Sequence, residues 1–168
     1  MGDPALVTFQ IHQDAFSFLG IENILTGNDD FGYFWDHFFK AGGYDVILPY
    51  ALDDQKPINV WYTNGAGRKI YFQGMIVSGV DKVPEGYSLA DFPATDFIVV
   101  TYEWVPAPDF QMMYEINGGW EHIKSVQIPE GYVRYDGPGS PITVIEKEST
   151  DTPNGSRYEF WVPVRKAD

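Results

Sequence analysis

No cysteine occurs anywhere in the chain. Disulfides, thiolate metal sites and cysteine nucleophiles are therefore excluded. Their absence fits a reducing compartment, and a cytoplasmic location is expected. Positive charge is scarce too: 11 Lys and Arg stand against 24 Asp and Glu, a formal net charge of −13. Such a surface repels nucleic acid phosphates, and no basic cluster offsets it, so direct nucleic acid binding is not expected. The acidity either serves solubility or attracts cations and basic partners. No stretch approaches the roughly 20 apolar residues of a membrane span. The opening MGDPALVTFQIHQDAF has neither the basic region nor the apolar run of a signal peptide. His12, His37 and His122 are widely separated, so no metal site is expected. There is no GxSxG elbow, GxGxxG fingerprint or Walker loop, and no cofactor is expected.

Aromatic residues are abundant instead: Trp 5, Tyr 11 and Phe 12. That is enough for a packed core with rings left to line a cavity. Val7, Phe9 and Ile11 alternate with polar residues, as in a half-buried strand, and AFSFLGIENIL reads as a second strand. Asn28, Asp29 or Asp30 can cap the helix that follows. In that helix Phe31, Phe34, Trp35, Phe38 and Phe39 keep helical spacing, and Gly42-Gly43 ends it. PINVWYT and KIYFQGMIVSGV are strands joined by the turn NGAGR. The order then repeats: EGYSLADFPA and DFIVVTYEW as strands, a helix near 108–124, IPEGYVRYDGPGS as loop, and two closing strands.

The expected fold is therefore α+β with mainly antiparallel sheet and principal helices near 30–41 and 108–124. Two pseudo-symmetric strand-helix-strand-strand modules, about 5–80 and 82–165, form a single domain over 1–168. Packed side by side they would leave a ligand cleft between them, since neither module buries its face alone; the other reading is one irregular antiparallel α+β domain without repeats.

One polar residue stands out. Ile142, Val144 and Glu146 share a face of the strand PITVIEKE. Glu146 is either a strand-end side chain in water beside Lys147, or a carboxylate held on an apolar face for a reason. Trp161 is either core or pocket. Glu159 is expected at the surface. Tyr102 and Trp104 end a strong strand, and Trp120, Tyr114 and Met113 lie on the second helix; each lines the cleft or packs the core.

The chain resembles the GyrI-like domain, the effector-binding domain of multidrug-responsive transcription regulators. The resemblance rests on AFSFLGI, on VPEGYSLADFPA with the strand after it, on ITVIEKE and on YEFWVPV. It implies two modules about a pseudo-twofold axis and a ligand cleft between them. It implies that Glu146 is the glutamate at the cleft's base, which meets a ligand's positive charge, and that Trp161 is the aromatic of the closing strand. Glu148 stands where the family often has Tyr, so the floor is expected to be more acidic. No helix-turn-helix accompanies the domain, which implies a standalone member, monomer or homodimer. The ligand expected is an amphipathic, cationic aromatic compound, with Glu146, Trp161, Tyr102, Trp104, Trp120, Tyr114 and Met113 as its contacts. Alternatively, the protein is a hydrolase that opens strained cyclopropane-type toxins with Glu146 as general base. A third reading is a protein–protein role such as modulation of gyrase.

Overall fold

A computed structural model of the chain describes residues 6–52, 55–102, 104 and 120–168. Alternating apolar stretches become the strands β1 (Leu6–Gln13), β2 (Phe16–Ile24), β3 (Ile58–Thr63), β4 (Lys69–Val77), β5 (Ser88–Phe92) and β6 (Thr95–Tyr102). After these come β7 (Tyr132–Arg134), β8 (Val144–Thr152) and β9 (Gly155–Lys166). Helix α1 spans Phe31–Lys40 and helix α2 Trp120–Ser125. Asp30 caps α1 by accepting from the Tyr33 N–H at 3.1 Å. Gly42 follows the helix at φ 125°, a conformation that glycine adopts at no steric cost. Among the described residues no helix is long and apolar enough to cross a membrane.

All nine strands join one antiparallel sheet in the order β1-β6-β9-β8-β3-β4-β2-β5, with β7 added against β9. Among the described residues the chain runs strand, strand, helix, strand, strand and then the same order again, with the short β7 inserted after α2. From the centre outward one half reads β3, β4, β2, β5 and the other β8, β9, β6, β1. That is the signature of a pseudo-twofold axis between β3 and β8. The first strand of each repeat is exchanged: β1 pairs with β6 of the second repeat, and β5 with β2 of the first.

The loop expected at IPEGYVRYDGPGS contains the three-residue β7. Its flanking Pro and Gly hide it, and its register with β9 is a tertiary fact that no local pattern carries.

The two faces of the sheet are buried differently. One face packs against itself, with Phe18, Val60, Phe72, Phe92, Phe97, Ile145 and Trp161 in one cluster that contains no helical residue. Tyr62 of β3 and Phe92 of β5 touch, with ring centroids 5.1 Å apart. In a flat sheet these strands would stand about 14 Å apart, so the sheet is strongly curled. The other face carries the helices. Phe38 of α1 packs with Leu19, Ile21 and Met75, whereas Ile123 of α2 packs with Val100, Val144 and Val162. The central strands β3 and β8 lie between these two clusters, and their helix-side face is a floor shared by the two modules.

Candidate functional site

Glu146 sits on that floor. It faces Asn59 of β3 on one side and Phe160 of β9 on the other, so it lies well inside the sheet. It is only 5% exposed. The Trp61 indole N–H donates to one carboxylate oxygen and the Tyr158 hydroxyl to the other. Trp61 is held by its register partner Tyr71, edge-on with centroids 4.8 Å apart. Helix α1 closes the group: Phe31 lies 5.6 Å from Trp61 and 5.1 Å from Tyr71, and Phe34 stacks on Tyr71 at 6.1 Å. The sequence places these rings correctly because i and i+3 share a helix face.

A polar row continues across the same face. Asn23 Nδ2 donates to Gln73 Oε1 and to the Tyr71 carbonyl, both at 3.0 Å. Gln73 is the cross-strand partner of Asn59. Asn59 Oδ1 and Gln73 Nε2 are buried and have no partner among the described residues.

Burial pushes the Glu146 carboxyl up from 4.5 to about 7, against the two hydrogen bonds that pull it down, with the Glu148 charge adding to the rise. Tyr158 and Tyr71 are buried phenols pushed further above their ordinary value by the Glu146 charge, so both stay protonated, and Tyr158 donates to Glu146. A carboxylate has about four acceptor sites. Trp61 and Tyr158 occupy one on each oxygen, and capacity remains for a ligand.

Glu148 faces Tyr158 across β8–β9 and shares the floor with Glu146. It is exposed, yet desolvation by the surrounding protein raises its pKa. Its charge is felt at Tyr44, Tyr71 and Tyr158 as well as at Glu146.

Of the remaining expected site residues, Trp161 and Trp104 stand apart from Glu146. Trp161 is opposite Ile145 on the other face of the sheet, where its indole donates to Glu159 at 2.9 Å and Lys147 lies over its ring. Trp104 lies under the Arg157 guanidinium at 4.3 Å, and Arg157 pairs with Glu159 at 3.0 Å. The expectation that Glu159 lies at the surface is corrected: it is 6% exposed, and Arg157 and Trp161 compensate its burial. Tyr102 ends β6 opposite Leu6, and Trp120 opens α2. Tyr114 and Met113, and the side chains of Tyr102 and Trp120, lie outside the described residues.

Sequence reasoning missed Trp61, Tyr71 and Tyr158. One signal was available. Asn59 and Gln73 interrupt apolar strands on the face that carries Trp61 and Tyr71, and a polar row on an apolar face marks a site.

A groove of about 570 Å³ opens beside Trp61 at the end of the β3–β4 hairpin, lined also by Leu25, Thr63, Lys69 and Pro138. Trp61 thus stands between this groove and Glu146. A smaller hollow of about 270 Å³ at Thr95, Asp96 and Tyr135 has no lining residue in common with the site.

Comparison with known proteins places this fold. No curated protein sequence matches the chain. The fold is shared with SAV2435 bound to tetraphenylphosphonium, at 13% identity and TM-score 0.62, covering 95% of this chain and 94% of that one. A putative transcription regulation protein from Staphylococcus aureus MU50 is similar at 15% identity and TM-score 0.63, covering 96% and 99%. The integron cassette protein VCH_CASS2 of Vibrio cholerae is similar at 12% identity and TM-score 0.56, covering 94% and 95%. The family model Cass2, integron-associated effector binding protein, matches residues 11–164, so the chain belongs to that family of effector-binding proteins.

Proposed function

We propose that the protein binds amphipathic, cationic aromatic small molecules, with Glu146 as counter-charge at the base of the cleft. The observation that carries this reading is a buried carboxylate ringed by Trp61, Tyr71, Tyr158 and Phe31 with no cationic side chain beside it among the described residues. An isolated buried carboxylate is costly, and an incoming cation removes that cost. Aromatic faces add cation–π attraction of roughly 0.5–2 kcal/mol. Tetraphenylphosphonium, the ligand of the similar SAV2435, has this chemistry. Saturable quenching of Trp fluorescence by tetraphenylphosphonium tests the reading. Glu146→Gln should weaken that binding by about 1–3 kcal/mol, with far less effect on the neutral triphenylphosphine oxide. Equal loss for both ligands, or none for either, would overturn the charge-pairing role.

One observation favours a second reading, hydrolysis of a strained electrophile. A carboxyl at about 7 is matched to general-base work, and the Tyr158 hydroxyl beside it supplies a second polar group. Mass spectrometry on a cyclopropane-containing alkylator decides between the two. Water addition lost in Glu146→Gln supports the enzyme, and no addition above the uncatalysed rate leaves the binder.

A further inference from the structure

The floor of the cleft carries two carboxylates. Glu146 and Glu148 share one face of β8, as their partners Phe160 and Tyr158 do on β9. Two residues along a strand separate their Cα atoms by roughly 6.6 Å. The intervening Lys147 neutralises neither, because alternation sends it to the other face, over Trp161 at 5.8 Å. Arg157, the next cation along β9, is likewise committed to Glu159 and to the Trp104 ring. Neither Glu146 nor Glu148 has an ion-pair partner among the described residues. The two are placed differently: Glu146 is buried at the base, and Glu148 is exposed nearer the mouth. The Glu148 charge raises the phenols of Tyr44, Tyr71 and Tyr158, and the Glu146 charge raises the last two.

A second, independent observation concerns hydrogen bonding. Asn59, the cross-strand partner of Glu146, is 4% exposed, and its Oδ1 is an acceptor without a partner. A buried acceptor left unmet is costly. A quaternary ammonium or a phosphonium has no N–H to offer it, whereas a protonated amine offers up to three.

From these placements we infer that the preferred ligands carry two cationic nitrogens about 6–8 Å apart on an aromatic body. The inner nitrogen is a protonated amine shared by Glu146 and Asn59 Oδ1, and the outer one is held by Glu148. The inference rests on the reading of the cleft as a cation site and narrows it from single lipophilic cations to aromatic diamines.

The test uses the full chain, with titration calorimetry against p-xylylenediamine and its monocationic counterpart 4-methylbenzylamine. These differ by one ammonium on the same ring. The diamine should bind at least tenfold more tightly. In Glu148→Gln that preference should fall below about threefold, because the diamine loses more affinity than the monoamine. Glu148 is exposed, so this variant should fold, and an unchanged near-ultraviolet circular dichroism spectrum checks it. The bis-trimethylammonium analogue of the diamine should bind at least threefold more weakly than the diamine itself. Equal affinity for mono- and diamine, equal losses for both in Glu148→Gln, or tighter binding of the methylated analogue would each overturn the inference. Binding of neither amine would overturn it as well. Saturable tetraphenylphosphonium binding in the same sample would then show that the parent reading survives.

Discussion

At the scale of the residue, the burial of the Glu146 carboxyl costs stability. Its carboxyl sits at about 7 in the folded protein against 4.5 unfolded, chiefly through burial. A raised folded pKa means that the native state holds the proton more tightly than the unfolded chain. The associated stability is fully present below pH 4.5 and is lost as pH rises through about 7. Urea denaturation of the ligand-free protein should therefore show stability falling by roughly 3 kcal/mol over that window through this group. Glu146→Gln should flatten the slope, and an unchanged slope in the variant would mean that another group carries it. Alternation with Ile142 and Val144 left open whether Glu146 stands in water or is held on an apolar face; the family resemblance pointed to the second, and the side chain is buried. Its partners were not legible in the sequence. Trp61 and Tyr158 reach it only through the β3–β8 and β8–β9 registers, and register is set by distant strands. The same blindness hides that Trp161 and Glu146 have opposite faces. A motif aligned along one strand does not reveal which neighbours share its side.

At the scale of the element, α1 and the hairpins were readable because their signals are local. Asp30 caps, Phe31 and Phe34 keep one face, and Asn64–Arg68 form the turn. What no local signal carries is how closely strands approach. Gly20 and Gly74 lie opposite each other where β2 and β4 meet. A methyl on Gly20 would sit 1.9 Å from the Gln73 carbonyl oxygen, and one on Gly74 2.1 Å from that of Leu19. Gly20→Ala should therefore cost about 3 kcal/mol, at the upper end of ordinary overpacking. It should also disturb the floor, because Gln73 belongs to the polar row beside Glu146. A thermal melt and the tetraphenylphosphonium affinity measured together check this. A variant as stable as the parent would mean that the strands separate easily there.

At the scale of the whole molecule, the duplication was visible as a repeated element order, while the exchange of β1 and β5 between the halves was not. The expectation that adjacent strands β1 and β2 belong together is natural for a short turn, yet each pairs elsewhere. The exchange ties the two modules together and leaves β3 and β8 as a shared floor. The counter-charge proposed for Glu146 would thus sit at the centre of one continuous sheet, a rigid placement for it. The most direct test of that claim is the titration of the Glu146 carboxyl carbon by NMR, with Glu146→Gln as the assignment control, in the free protein and with saturating tetraphenylphosphonium. The account predicts a midpoint near 7 in the free protein and at least one unit lower with the cation bound, because a cation favours the ionised form. A midpoint unmoved by the cation, or moved upward, would contradict it.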